Sequence, residues 1–305
     1  MDNVRLFLFM ALAFLGMLLY QAWQEDYGPK PVATAENANP AEPVAGDTPT
    51  APRQADIDNA APSVPGVPTP EAAKSSGLIK IVTDTLDLVL DSRGGTIVDA
   101  RLIQYPVAVN KPDEKFRLLS QRPSDYFIIQ SGLLGSETER TPTHEAVFTA
   151  AGDRFELADG EDQLIVDLLW QSADGVQVTK RYTFTRGSHA VRLEHLVNNN
   201  SETAWSGRDY RQLQRGEPAD SGSAFMYTYT GGAIYSQEDK YQKYDFEELG
   251  TGQLDRDVKD GWLAMIQHYF LGAIVPPRGE DQHYYGKRLS NCLLYTSDAA
   301  DERGC

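Results

Sequence analysis

The chain lacks most of the signatures of a catalyst. It has two cysteines in 305 residues, Cys292 and Cys305, both in the last fourteen positions. A disulfide between them would staple only a tail, so cross-linking does not organise the fold. The five histidines (His144, His189, His195, His268 and His283) show no HxxxH spacing, and there is no CxxC. No metal site is expected. GxSxG, Walker and GxGxxG sequences are also missing, which removes the nucleophile elbow, the phosphate cradle and the dinucleotide fingerprint. No cofactor and no enzymatic activity are expected. Carboxylates are plentiful but scattered. A glycosidase pair is defined by separation in space, so sequence spacing cannot reveal one.

Basic residues are scarce. Lys and Arg number 28 against 44 Asp and Glu, giving a formal charge of -16 and a pI near 4.7. Such a surface repels phosphate backbones and anionic headgroups, so nucleic acid is not an expected partner.

Long apolar runs are absent after the first two dozen residues, where there is one. Val4–Trp23 carries Leu6, Phe7, Phe9, Leu12, Phe14 and Leu18, with Tyr20 and Trp23 at its far end and Glu25 and Asp26 just beyond. About twenty residues suffice for a helix to cross a hydrocarbon core, and the two aromatics sit at interfacial depth. A strong basic leader and an A-x-A cleavage pattern are both missing, so a retained anchor is expected over residues 1–25 rather than a removed signal. Arg5 precedes the span and acids follow it, which orients the N-terminus to the cytoplasm and the body of the chain to the other side.

Residues 26–76 hold ten of the seventeen prolines and no aromatic after Tyr27. Such a segment cannot bury enough apolar surface to offset the entropy of ordering, and is expected to be a disordered tether. Its ends would average ~40 Å apart.

From Gly77 to Asn291 no long helical period occurs; the period is two. Leu86, Leu88 and Leu90 alternate with Asp87 and Val89, Ser92–Gly95 supplies a turn, and Thr96–Leu102 returns, together a hairpin. Arg93 beside two glycines reads as part of that turn rather than as an anion nest. Tyr126–Ser131, Ala146–Thr149, Leu164–Trp170, Ala224–Tyr229 and Trp262–Val275 read as further strands. Val176, Val178, Lys180, Tyr182 and Phe184 form the inward face of the cleanest strand, after an Asp174-Gly175 turn. The next strand places Val191, Leu193, His195 and Val197 on one face. His195 reads as a buried, hydrogen-bonded structural histidine, and Glu194 points away from it. The expected fold is mostly β, a large antiparallel β-sandwich spanning 77–291.

Phe225–Phe246 is unusually aromatic. Tyr227, Tyr229, Tyr235, Tyr241 and Tyr244 could line a partner surface or groove; they are also ordinary cross-strand pairs. Cys292–Glu302, CLLYTSDAADE, reads as the translation of a transposon end and adapter used in sequencing libraries. Residues 292–305 are therefore expected to be an artefact, with the natural chain continuing differently after Asn291.

Several stretches together carry a family resemblance. The opening DNVRLFLFMALAF and QAWQED, LIKIVTDTLDLVLDSRGGTIVDARLIQYP (Leu78–Pro106), FRLL (Phe116–Leu119), QSGL (Gln130–Leu133), GGAIYSQEDKYQKYDF (Gly231–Phe246) and GWLAMIQHYFLGAIVP (Gly261–Pro276) resemble the YidC membrane protein insertases of Gram-negative bacteria. The resemblance implies an inner-membrane protein with a cytoplasmic N-terminus, a tether, and a periplasmic β-sandwich similar to the galactose mutarotase fold. It implies membrane lipid, nascent membrane proteins and the Sec translocon (SecYEG, SecDF) as partners. A sheet edge within roughly Trp205–Asp257 would lie where the family contacts SecF. In the family a five-span membrane core follows the sandwich; nothing after Asn291 resembles it, so the insertase core is expected to be absent from this chain. The alternative is a stand-alone, membrane-anchored periplasmic β-sandwich that binds or processes carbohydrate.

Overall fold

The computed structural model describes residue 17 and residues 77–216, 229–267, 269–289 and 292–299. The expected anchor (Leu6, Phe7, Phe9, Leu12, Phe14, Leu18, Tyr20, Trp23), the tether, Tyr227 and His268 lie outside the described residues. Among the described residues no helix is long and apolar enough to cross a membrane.

Among the described residues eighteen strands follow in chain order: β1 (Leu78–Val82), β2 (Leu86–Asp91), β3 (Thr96–Ala108), β4 (Lys111–Leu119), β5 (Phe127–Leu134), β6 (Thr149–Ala150), β7 (Arg154–Glu156), β8 (Gln163–Gln171) and β9 (Val176–Thr185), then β10 (Val191–Asn199), β11 (Arg208–Arg215), β12 (Thr230–Ser236), β13 (Lys240–Tyr244), β14 (Asp255–Lys259), β15 (Trp262–Gln267), β16 (Phe270–Ile274), β17 (Asp281–Leu289) and β18 (Cys292–Ala299). A short α-helix, α1 (Phe246–Gly250), starts at a capping box in which Asp245 and Glu248 satisfy each other's backbone N–H groups. Paired in this way, two otherwise orphaned donors let a five-residue helix hold its first turn.

The strands form three sheets. A ten-stranded sheet runs β14-β17-β18-β11-β5-β3-β2-β1-β7, with β4 also on β3; a second runs β10-β9-β8-β6; a third runs β13-β12-β15-β16. All neighbours are antiparallel except β1 and β7. The two smaller sheets lie over the same face of the large one, and one apolar core joins all three, from Ile79 and Leu90 through Leu168 and Phe184 to Leu213, Ile234 and Met265. The expected β-sandwich is the observed architecture, with one of its layers split in two.

The first hairpin forms as its pattern requires. Leu86, Leu88 and Leu90 are buried while Asp87 and Val89 are half-buried. Gly94 and Gly95 take φ of +70° and +59° in the turn. A side chain at Gly94 is excluded twice over, because a Cβ there would stand 2.2 Å from the His144 carbonyl oxygen. Arg93 pairs with Glu145, in keeping with a turn rather than an anion nest. In β9, Val176, Val178, Lys180, Tyr182 and Phe184 are all buried.

Some boundaries differ from the sequence reading. Trp262–Val275 is two antiparallel strands, β15 and β16; the reversal between Gln267 and Phe270 carries no Gly, Pro, Asn or Asp to signal a turn. Of the expected 146–149 region only Thr149 falls in a named strand, β6, beside an isolated bridge between Arg93 and Val147.

Candidate functional site

The outer strands of the two smaller sheets, β10 and β16, each pair on one side only among the described residues. Between them a cleft of about 1440 Å³ opens onto the large sheet. Its floor is apolar, with Leu88, Ile97, Leu102, Leu119, Ile129 and Leu133. Tyr105 stands at the rim, with its ring centroid 5.3 Å from Phe270 and 5.8 Å from His189. Phe116 stacks on the Phe270 ring at 4.2 Å. A groove with an apolar floor and strand edges for walls is the form in which a sheet accepts an extended guest chain.

The polar end of the cleft is built by register. Across the β10–β9 pair, His195 stands opposite Lys180. Lys180 reaches the large sheet, where its Nζ donates to the carbonyl oxygens of Ser131 at 3.0 Å and Gly94 at 2.6 Å. Ser131 is opposite Arg211 in the β5–β11 pair. The row His195, Lys180, Ser131, Arg211 thus crosses from the edge strand to the middle of the large sheet.

Burial sets the protonation of this row. Lys180 has no solvent exposure, and desolvation lowers its pKa to about 7. The rings of Phe148 and Tyr182, 5.9 and 5.8 Å from Nζ, partly compensate through their π faces. Tyr182 donates to the Gly95 carbonyl oxygen at 2.6 Å, and burial raises its phenol pKa. His195 is held well below the ordinary imidazole range, first by desolvation and then by the charges of Lys180 and Arg211. It is neutral at pH 7.

The expectation of a hydrogen-bonded structural histidine at 195 is corrected here. His195 lines the cleft, and its Nε2, out of solvent reach, has no hydrogen-bond partner among the described residues. Among the described residues β10 pairs with β9 alone, so one flank of His195 is open. Arg211 is in a similar position. One arm of its guanidinium pairs with Asp209, while Nη1 is buried without a partner.

The tyrosines singled out from the sequence are separated by the fold. Tyr235 and Tyr241 are register partners, and Tyr235 stacks on Trp262 at 5.9 Å and 10°. These three make a row on the small sheet's outer face. Lys243 lies 4.5 Å above the Tyr229 ring and 6.0 Å from that of Tyr241. The Tyr229 hydroxyl is directed at the carbonyl oxygens of Gly232 and Tyr244, at 2.8 and 2.7 Å. Tyr244 turns inward against the core. None of the four described tyrosines lines the cleft. Lys180, Arg211 and β16, which do build it or its polar end, were passed over. The one available signal was a lysine on the inward face of an otherwise apolar, alternating strand. Among the described residues no cluster of histidines and carboxylates is arranged to hold a metal.

The profile of the YidC periplasmic domain family matches residues 78–303. The chain is 41% identical over 303 residues to a membrane protein insertase YidC from Thioalkalivibrio sulfidiphilus, covering 95% of this chain and 52% of that protein. It is 41% identical over 293 residues to the protein of the same name from Methylococcus capsulatus, again covering 95% and 52%. The chain therefore spans about half the length of the curated relatives it matches. Among solved structures, a galactose mutarotase related enzyme from Lactobacillus acidophilus aligns at 10% identity and a TM-score of 0.43, over 72% of this chain and 85% of its own. A galactose mutarotase-like protein from Lactobacillus casei aligns at 8% identity and 0.42, over 75% and 95%.

Proposed function

The chain belongs to the YidC family of membrane protein insertases, and we propose that the protein it represents aids the insertion, folding and assembly of integral inner-membrane proteins, with and without the Sec translocon. The observation that carries this reading is identity of 41% sustained over 95% of the chain, together with the domain match over 78–303. In this reading Val4–Trp23 is the first membrane span, with its N-terminus in the cytoplasm. Residues 26–76 tether a periplasmic sandwich, and the inserting spans belong to the half of the relatives' length beyond this chain. Insertion lowers the cost of moving polar flanks through lipid and needs no nucleotide site, in keeping with the missing phosphate-binding motifs. The carbohydrate alternative gains nothing from the family placement.

The sandwich would hold an extended, mostly apolar client segment in the cleft, against the edge of β10 or β16. The SecF contact implied by the family would fall within Trp205–Asp257, a range that contains β11, β12 and β13. Complementation tests the main reading. In cells depleted of their own insertase, the full-length gene from the source locus should restore growth, and residues 1–291 alone should not. Rescue by residues 1–291 alone, or failure of the full-length gene when it is expressed and membrane-inserted, would overturn it.

A further inference from the structure

We infer that the free end of the β3–β4 hairpin and strand β16 form one membrane-docking patch, which seats the sandwich on the surface of the bilayer that holds the chain. The inference rests on the membrane anchoring proposed above and adds the face that the sandwich turns towards the lipid.

Strand β3 belongs to the core for only half its length. From Thr96 to Leu102 every residue is buried or half-buried, whereas residues 104–107 are all exposed. Successive side chains of a strand point to opposite faces, so both faces of this end are bare. At the turn Val109 is 99% exposed. Tyr105 joins this arm to β16 through Phe270, and Phe116 of β4 stacks on the same ring. β16 and its flanks add Tyr269, Leu271 and Val275, all exposed. Six of the eleven large apolar side chains exposed among the described residues thus fall in these two short segments, so they form a patch and not a scatter.

Its charge sets the patch apart. Residues 103–110 and 269–277 contain no charged side chain. At their borders Lys111 and Lys115 offset Asp113 and Glu114, and Arg278 offsets Glu280. The chain as a whole, at -16, is repelled by anionic headgroups; this face is neutral and apolar.

Size and composition choose the occupant. A stable protein interface engages roughly 20–30 residues a side, far more than this patch offers, so a second copy does not fit it. A bilayer needs only a few apolar side chains in the headgroup boundary, with aromatics at its level. Tyr105 and Tyr269 supply the aromatics; Val107, Val109, Leu271 and Val275 supply the apolar part. The tether proposed for residues 26–76 ends at Gly77, where the sandwich begins. Its ~40 Å average reach keeps a weakly inserting patch at high effective concentration near the bilayer.

The test uses the full chain in phosphatidylcholine vesicles, with Cys292→Ser and Cys305→Ser as background. Single substitutions Val109→Cys, Val275→Cys and Val147→Cys each carry an environment-sensitive fluorophore. Val147 is also exposed, but it bridges Arg93, at the opposite end of β3 from Val109. With spin-labelled lipid in the vesicles, the labels at Val109→Cys and Val275→Cys should be blue-shifted and quenched severalfold more than the label at Val147→Cys. Adding Val107→Asp and Val109→Asp to the Val275→Cys protein should lower its quenching to the Val147→Cys level, with an unchanged circular dichroism spectrum. Flotation with the vesicles reports the anchor separately. A chain that floats with all three labels equally unquenched would overturn the patch and leave the anchoring. A blue shift without lipid quenching would mark a protein partner and overturn the patch as well. A chain that does not float would overturn both.

Discussion

The buried ammonium of Lys180 is bonded to the carbonyl oxygen of Gly94 at 2.6 Å, which ties the second sheet of the sandwich to the first hairpin of the large one. The same nitrogen donates to Ser131, so one side chain joins β9, β5 and the β2–β3 turn. A neutral amine has two N–H donors, enough for both carbonyls. Deprotonation therefore need not break the clamp.

A pH dependence follows. Burial lowers the Lys180 pKa from 10.5 to about 7. Below about 7 both folded and unfolded chains hold the proton, and this group adds no slope. From 7 towards 10.5 the unfolded chain still binds it and the folded chain does not, so stability rises with pH. The gain should be roughly 2 kcal/mol between about pH 7 and pH 9. Urea denaturation at several pH values should show this increment in the unsubstituted protein and not in Lys180→Met. Parallel curves for the two would contradict it.

Two glycines with similar φ should respond unequally to alanine. At Gly94, φ is +70° and a Cβ would strike the His144 backbone. At Gly187, φ is +74° and nothing lies within 4 Å. Gly187→Ala should cost about 1 kcal/mol, from conformation alone. Gly94→Ala should cost on the order of 3 kcal/mol or more, because backbone must also move. Denaturation midpoints at constant m-value report both.

Arg140 is a second buried clamp. Only 8% exposed, it pairs with Asp174 at 2.5 Å, donates to Ser201 Oγ at 2.7 Å, and donates to the carbonyl oxygens of Thr203 and Ala204 at 3.2 and 3.1 Å. Removing one partner of such a network leaves the others unsatisfied. Arg140→Ala should destabilise by about 3–5 kcal/mol, read as a lowered urea midpoint. A loss below about 1 kcal/mol would show the network to be dispensable.

The outer aromatic row gives a negative control for the cleft. Tyr241 is 47% exposed and stands on the far face of its sheet. Tyr241→Ala should leave peptide affinity within about twofold, since exposed single contacts away from a site contribute little. A tenfold loss would move the site from the cleft to that row.

What the sequence disclosed, and what it hid, has a physical pattern. β2 and β9 were legible because each buries one face, so their apolar residues recur at every second position. β11, RDYRQLQR, was not. Its apolar residues Tyr210 and Leu213 point to opposite faces, and its buried positions hold Gln212, Gln214 and Arg215. Those polar groups are bonded to distant residues: Gln212 Nε2 to Gln130 at 2.6 Å, Tyr126 to Gln214 at 3.2 Å, and Arg215 to Gln267 at 2.7 Å. A strand in the middle of a sheet was thus spelled as a surface one. The cleft left no local trace either, because it is a gap between the edges of two sheets and exists only once all three are assembled. The family resemblance was readable, since it rests on residues rather than on packing.

Strand β18 bears on the tail. Cys292–Ala299 sits between β11 and β17, and the family profile runs on to residue 303. A β-prone segment is needed in that position to join β14 and β17 to the rest of the large sheet. CLLYTSDA can occupy it whatever its origin, since Leu, Tyr and Thr suit a pleated sheet.

The most direct measurement is a long DNA read through the source locus beyond the codon for Asn291. An insertase gene should show the frame continuing with a different β-prone segment in place of Cys292–Cys305, followed by several hydrophobic spans. A stop codon soon after Asn291 on an independently sequenced template would contradict the account.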